Sequence, residues 1–181
     1  AVIVLYFNKL NPLSPKKSKE EKKDTWSLWF KVIVACIPAA IFGLLLDDLV
    51  DKYFYNYVVV AIMLIVYGIL FIVIENKSKN KSYKINSLNE LTYKTAFSIG
   101  LFQVLSIIPG TSRSGATILG ARLIGTKRDV AAEFTFFLAI PVMAGASALK
   151  LLKYILDVGF VFNSTELIIL FSHCLTKFVI I

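Results

Sequence analysis

A chain of 181 residues with 57% hydrophobic residues and a mean hydropathy of +0.71 carries too much uninterrupted apolar sequence for a soluble domain. Its formal charge of +8 comes from lysines crowded into two segments between apolar runs. There they act as topology determinants and contacts for anionic membrane lipid, which excludes nucleic acid as the partner.

Ala1 to Phe7 is too short to span and reads as the tail of a helix. The 181 residues are therefore expected to be one membrane domain and a fragment of a longer one. Asn8 to Thr25 follows as a linker, with Pro12 and Pro15 as breakers and lysines at 9, 16, 17, 19, 22 and 23. Trp26 to Leu46 is long enough for one crossing, with Lys31 as its single early charge, Trp26 and Trp29 suited to the interface, and Pro38 predicting a kink. Asp47, Asp48 and Asp51 then form an acidic turn. Tyr57 to Ile74 is a second crossing, and Glu75 to Glu90 a second lysine-rich linker. The alternation basic, acidic, basic puts both lysine linkers in the cytoplasm and the acidic turn outside.

In Leu91 to Ile108 the residues Thr92, Thr95, Ser98, Gln103 and Ser106 fall within an arc of about 140° at 100° per residue. That polar stripe is expected to face protein or water. Next comes Pro109-Gly110-Thr111-Ser112-Arg113-Ser114-Gly115-Ala116-Thr117-Ile118, and the apolar run behind it ends after about 15 Å of helix at Lys127, Arg128 and Asp129. A half-length helix after a Pro-Gly break predicts a re-entrant hairpin, and such backbone at membrane depth marks a site. Ala116/Gly120 and Ala121/Gly125 have the spacing for close helix packing. Val130 to Leu152 is another apolar helix, interrupted by Pro141, with Glu133 just inside its start and Lys150 and Lys153 at its end. Glu133 reads either as a solvated helix-start carboxylate near Lys127 and Arg128 or as a supporting residue of the site. A loop from Asp157 to Glu166 and a short helix from Leu167 to Ile181 close the chain. The sole histidine, His173, is expected to be incidental, and Cys36 and Cys174 give no metal pattern or disulfide framework.

The ten-residue motif has the chemistry of an anion cradle. A glycine-rich turn exposes backbone N–H groups, the helix behind it offers its positive end, and Arg113 adds a permanently charged fork matched to two phosphate oxygens. Ser112, Ser114 and Thr117 supply neutral donors. The motif lacks the Gly-Lys-Ser/Thr of a nucleotide-binding loop, has no cysteine five residues before the arginine, and has no histidine until His173. Those absences remove the nucleotide-loop, cysteine-phosphatase and histidine lipid-phosphatase readings.

Pro109 to Ile118, followed by Ala131-Ala132-Glu133-Phe134 and Leu138-Ala139-Ile140-Pro141, resembles the second signature of the bacterial undecaprenyl-diphosphatase family, also called the bacitracin resistance protein BacA family. Ile37-Pro38-Ala39-Ala40-Ile41-Phe42-Gly43-Leu44 resembles its middle segment. The resemblance runs from Ala1 to about Leu170, after which Phe171 to Lys177 departs from the pattern.

The resemblance implies an all-α integral membrane bundle whose re-entrant hairpin is part of an inverted repeat. It also implies hydrolysis of the lipid undecaprenyl diphosphate in the bacterial plasma membrane, which recycles the carrier for peptidoglycan and confers bacitracin resistance. In that family Arg113 would grip the diphosphate with Ser112 and Thr117 beside it, while Gly110, Thr111, Ser114 and Gly115 line the substrate. The family's acid-rich first signature is absent from these residues. The nucleophile, the base and the ligands of a divalent cation, Mg²⁺ or Ca²⁺, are accordingly expected outside this chain, and the 181 residues alone are expected to be impaired. A transporter or flippase-like carrier, or a nonfunctional remnant, is the alternative reading, since re-entrant half-helices facing an anion also build transporters.

Overall fold

A computed structural model describes residues 6–12, 17–78 and 83–158. The expected loop at 159–166 and the final helix with His173 and Cys174 lie outside the described residues. Within them the chain is helical: α1 Phe7–Leu10, α2 Lys19–Tyr53, α3 Tyr57–Ser78, α4 Tyr93–Val104, a 3₁₀ turn Leu105–Ile107, α5 Arg113–Ile124 and α6 Arg128–Val158. Three of these, α2, α3 and α6, contain stretches long and apolar enough to cross a membrane.

Helix α2 is longer than expected at both ends. Its start lies inside the expected linker, because Ser18 accepts from the Glu21 N–H while Glu21 accepts from the Ser18 N–H, a reciprocal capping box that recruits Lys19 to Thr25 into the helix. At the other end the expected acidic turn is also helical. Nothing between Leu46 and Tyr53 breaks the backbone pattern, so the chain reverses at Phe54 to Asn56, where Asn56 Oδ1 accepts from the Val59 N–H at 3.0 Å. Helix α6 likewise runs past Lys150 and Lys153 to Val158, through the expected loop start at Asp157.

The predicted hairpin is present, built from shorter arms than Leu91 to Ile108 suggested. Thr92 caps α4 by accepting from the Thr95 N–H, and α4 and α5 are 12 residues each, about 18 Å. Their outer ends are tied together. The Lys84 and Ile85 N–H groups donate to Gly125 O at 2.9 and 3.3 Å, and the Lys127 N–H donates to Ile85 O at 2.9 Å, around an isolated parallel bridge between Ile85 and Thr126. The chain thus enters and leaves the hairpin at one end. Gly125, at φ +97°, makes the left-handed turn that frees α5 to stop there.

The core gathers Leu28, Val32 and Ala35 of α2, Ala96 and Ile99 of α4, Ala121 of α5 and Phe134, Phe137 and Leu138 of α6. Close approach is set by glycine. A Cβ on Gly100 would lie 2.2 Å from Ala35 O, and one on Gly120 would lie 2.3 Å from the Phe102 ring. Helix α3 is apolar on all sides and packs mainly on α5 through Tyr67, Ala116 and Leu119, leaving Ile62, Leu64, Ile65, Ile69 and Ile72 exposed as an apolar surface. The hydroxyls of the polar stripe are satisfied locally rather than by a neighbouring helix, Ser98 donating to Lys94 O and Ser106 to Gln103 O, whereas Gln103 is fully buried and its Oε1 has no partner among the described residues.

Gly100→Ala is expected to lower stability by about 1–3 kcal/mol through overpacking. Gly43→Ala, at a position with open space around it, is expected to be neutral or slightly stabilising. Thermal unfolding of the detergent-solubilised variants measures the contrast.

Candidate functional site

The motif forms the tip of the hairpin. After the 3₁₀ turn Ile108 is extended, Gly110 takes φ +89°, and the Thr111 N–H donates back to Ile108 O at 3.1 Å. Gly110 is required twice over. Its conformation is left-handed, and a Cβ there would lie 2.7 Å from Val60 O in the first turn of α3. The tip therefore reaches the level of the α2–α3 reversal, and a shallow depression there is lined by Tyr55, Asn56, Tyr57, Ile107 and Pro109. Arg122 near the hairpin base contacts Glu75 near the far end of α3, so tip and base lie at opposite ends of that helix.

Ser112 is the N-cap of α5: its Oγ accepts from the Gly115 N–H at 3.2 Å and lies 3.2 Å from Ser114 Oγ. Both serines are exposed. Arg113 between them is half-buried and, among the described residues, forms no ion pair and holds Nη1 buried with no hydrogen-bond partner. An unpaired buried guanidinium nitrogen at a helix N-terminus is a strong electrostatic demand for an anion.

The other expected residues stand behind this rim. Thr111 is buried beside the Tyr67 hydroxyl. The Gly115 N–H is taken by Ser112, and its bare Cα admits Phe71, which a Cβ would approach to 3.2 Å. Thr117 is fully buried; its hydroxyl donates to Arg113 O and Ser114 O at 3.0 and 3.1 Å and accepts from Thr135 Oγ1 at 3.0 Å. In this arrangement Thr117 braces the first turn of α5 against α6. Glu133 is not brought to the tip: its carboxylate pairs with Lys9, at the hairpin-base end of α6, rather than with Lys127 or Arg128. Thr135 and Tyr67 went unread in the sequence. The available signal for Thr135 was a hydroxyl inside an apolar helix, where a polar side chain needs a partner.

Among the described residues no three His, Cys, Asp or Glu side chains come together in a way that could hold a metal ion. These residues do not fit a divalent cation, and no step below runs through one.

The sequence pattern described as "Bacitracin resistance protein BacA" matches residues 1–180. The chain belongs to that family. The match continues past Leu170, so the apparent departure at Phe171 to Lys177 does not mark an end of the family resemblance. The chain is 60% identical over 180 residues to a protein of Enterococcus faecalis named undecaprenyl-diphosphatase, covering 99% of this chain and 65% of that protein. A protein of the same name from Acetivibrio thermocellus is 57% identical over 180 residues, with the same coverage. One from Limosilactobacillus fermentum is 61% identical over 169 residues, covering 93% of this chain and 61% of the relative. The chain spans about 65% of the length of the first two relatives.

If Thr117 braces α5 through Thr135, Thr117→Val and Thr135→Val each cost about 1 kcal/mol and the double variant costs less than their sum. Unfolding of the four proteins in detergent closes the cycle, and strict additivity would refute the brace.

Proposed function

We propose that this BacA-family chain supplies the diphosphate-gripping part of an undecaprenyl-diphosphate phosphatase in the bacterial plasma membrane. The reaction would add water across the phosphoric anhydride of undecaprenyl diphosphate, giving undecaprenyl phosphate and inorganic phosphate. That product returns the lipid carrier to peptidoglycan synthesis, and removal of the diphosphate form would underlie resistance to bacitracin. One observation carries the reading: Arg113 stands at the head of α5 with Nη1 buried and unpartnered, inside the motif that resembles the family's signature.

In this reading the guanidinium takes two oxygens of the diphosphate, the Arg113 and Ser114 N–H groups at the head of α5 face the same charge while that of Gly115 stays with Ser112, and the Ser112 and Ser114 hydroxyls hydrogen-bond at the rim. These donors are fixed before the reaction. They stabilise the charge that develops on the transferred phosphoryl group without reorganising. Thr117 acts through the backbone, holding the turn that carries Arg113. A divalent cation belongs to the proposal only as charge held by ligands outside the described residues.

Three apolar helices and the positive-inside rule support a multi-pass arrangement. With the lysine linkers in the cytoplasm, the hairpin base lies at the inner end and the tip at the outer end.

Two measurements test this. Binding of undecaprenyl diphosphate to the detergent-solubilised chain is expected to weaken at least about tenfold in Arg113→Gln, the worth of a charge-assisted contact, and only modestly in Ser114→Ala. Indifference to Arg113 would exclude the proposed grip. In intact cells, Ser114→Cys is expected to react with a membrane-impermeant thiol reagent above the wild-type background, whereas labelling only after lysis would place the tip inside.

A further inference from the structure

The hairpin base carries a second group of charges that the tip chemistry does not use. Arg122 lies in the last turn of α5 with its side chain only 3% exposed. Its Nη2 donates to Glu75 Oε2 at 3.4 Å, and the Tyr83 ring stands 4.8 Å from its Cζ. Its Nε and Nη1 are buried and have no acceptor among the described residues. Arg128, mostly exposed at the start of α6, donates from Nη1 to the other oxygen of Glu75, also at 3.4 Å. One carboxylate is therefore shared by two guanidiniums, through contacts longer than the 2.7–2.9 Å usual for charge-assisted pairs.

These three residues line a cavity of about 470 Å³, whose apolar wall includes Phe71, Ile118 and Leu119. The cluster carries a net positive charge, and its deepest donors are unused. Among the described residues that line the cavity Glu75 is the carboxylate; the neighbouring Asp129 is paired with Lys127, and the adjoining sequence adds Lys77 and Lys84.

We infer that this cavity is a second phosphate site, separate from the tip, which takes a phosphate group as a lipid headgroup or as free inorganic phosphate. A phosphate offers three acceptor oxygens where Glu75 offers two. It fills the cluster when the Glu75 side chain, already part-exposed, swings aside towards solvent. The Nε–Nη1 edge of Arg122 then receives a bidentate partner, and Arg128 closes over the outer oxygen. The apolar wall beside the charges suits a phosphate that carries acyl chains. This site does not depend on the reaction proposed for the tip.

The test uses the full chain in a phosphate-free maltoside detergent, in an Arg113→Gln background that silences the tip. Inorganic phosphate and phosphatidylglycerol are titrated separately, by calorimetry and by native mass spectrometry. One bound phosphate group per chain is expected. Arg122→Gln abolishes it, and Arg128→Gln, an exposed change with little bearing on folding, weakens it roughly tenfold. Glu75→Gln removes the competing carboxylate and strengthens it by a similar factor. Saturation by inorganic phosphate alone identifies a free anion, and saturation by the lipid alone identifies a headgroup. Stoichiometric binding of neither probe overturns the inference, as does binding indifferent to Glu75→Gln or Arg128→Gln.

Discussion

The backbone hydrogen bonds between Lys84–Ile85 and Gly125–Lys127 are the constraint on which the hairpin depends. They join the chain just before α4 to the chain just after α5. Two arms of about 18 Å, each too short to cross a bilayer, thereby become one rigid insertion with both ends on the same side. Glycine then fixes the depth: Gly100 lets α4 lie against the backbone of α2, Gly120 admits Phe102, and Gly110 seats the tip on the first turn of α3. Lipid offers no hydrophobic drive between helices, so contacts at this range, where dispersion and backbone proximity count, hold the bundle.

At the tip, that scaffold positions a charge that its surroundings leave uncompensated. A buried guanidinium nitrogen without an acceptor among the described residues is itself a demand for an anion. The first turn of α5 is held from two sides. Ser112 caps it, and Thr135 braces Thr117, which in turn accepts no role at the rim in the observed geometry. The donors that the tip presents are thus Arg113, the serine hydroxyls and the open end of a helix whose position is set by other residues.

Much of the site was legible because its chemistry is local. Ten consecutive residues carry the turn, the cap, the arginine and the helix start, and the Pro-Gly break with a half-length helix announced the hairpin. The division of labour within the motif was not legible. Ser114 and Thr117, three residues apart, can share a face by spacing alone, yet Ser114 is exposed and Thr117 is enclosed by α6, because helical phase does not say which neighbour covers which side. Glu133 was ambiguous for the same reason. Its partner, Lys9, is distant in sequence and only packing brings them together. The ends of α2 were misplaced for a different reason: charge runs were read as linker, whereas the Ser18–Glu21 capping box and the absence of a breaker before Phe54 let charged residues continue the helix beyond the apolar core.

By itself the sequence determined that the protein is helical and membrane-embedded, that a glycine-rich, arginine-bearing motif sits at a re-entrant break, and which family that motif resembles. These follow from hydropathy run length, lysine placement and short-range spacing, which are properties of the chain before it packs. Only the tertiary structure decided that the hairpin closes on itself at Ile85 and Thr126, that its tip reaches the first turn of α3, that Thr117 answers to Thr135, and that Arg122 shares Glu75 with Arg128. Each of these joins residues far apart in the chain, and such pairings are selected by the fit of whole helices rather than by any local pattern.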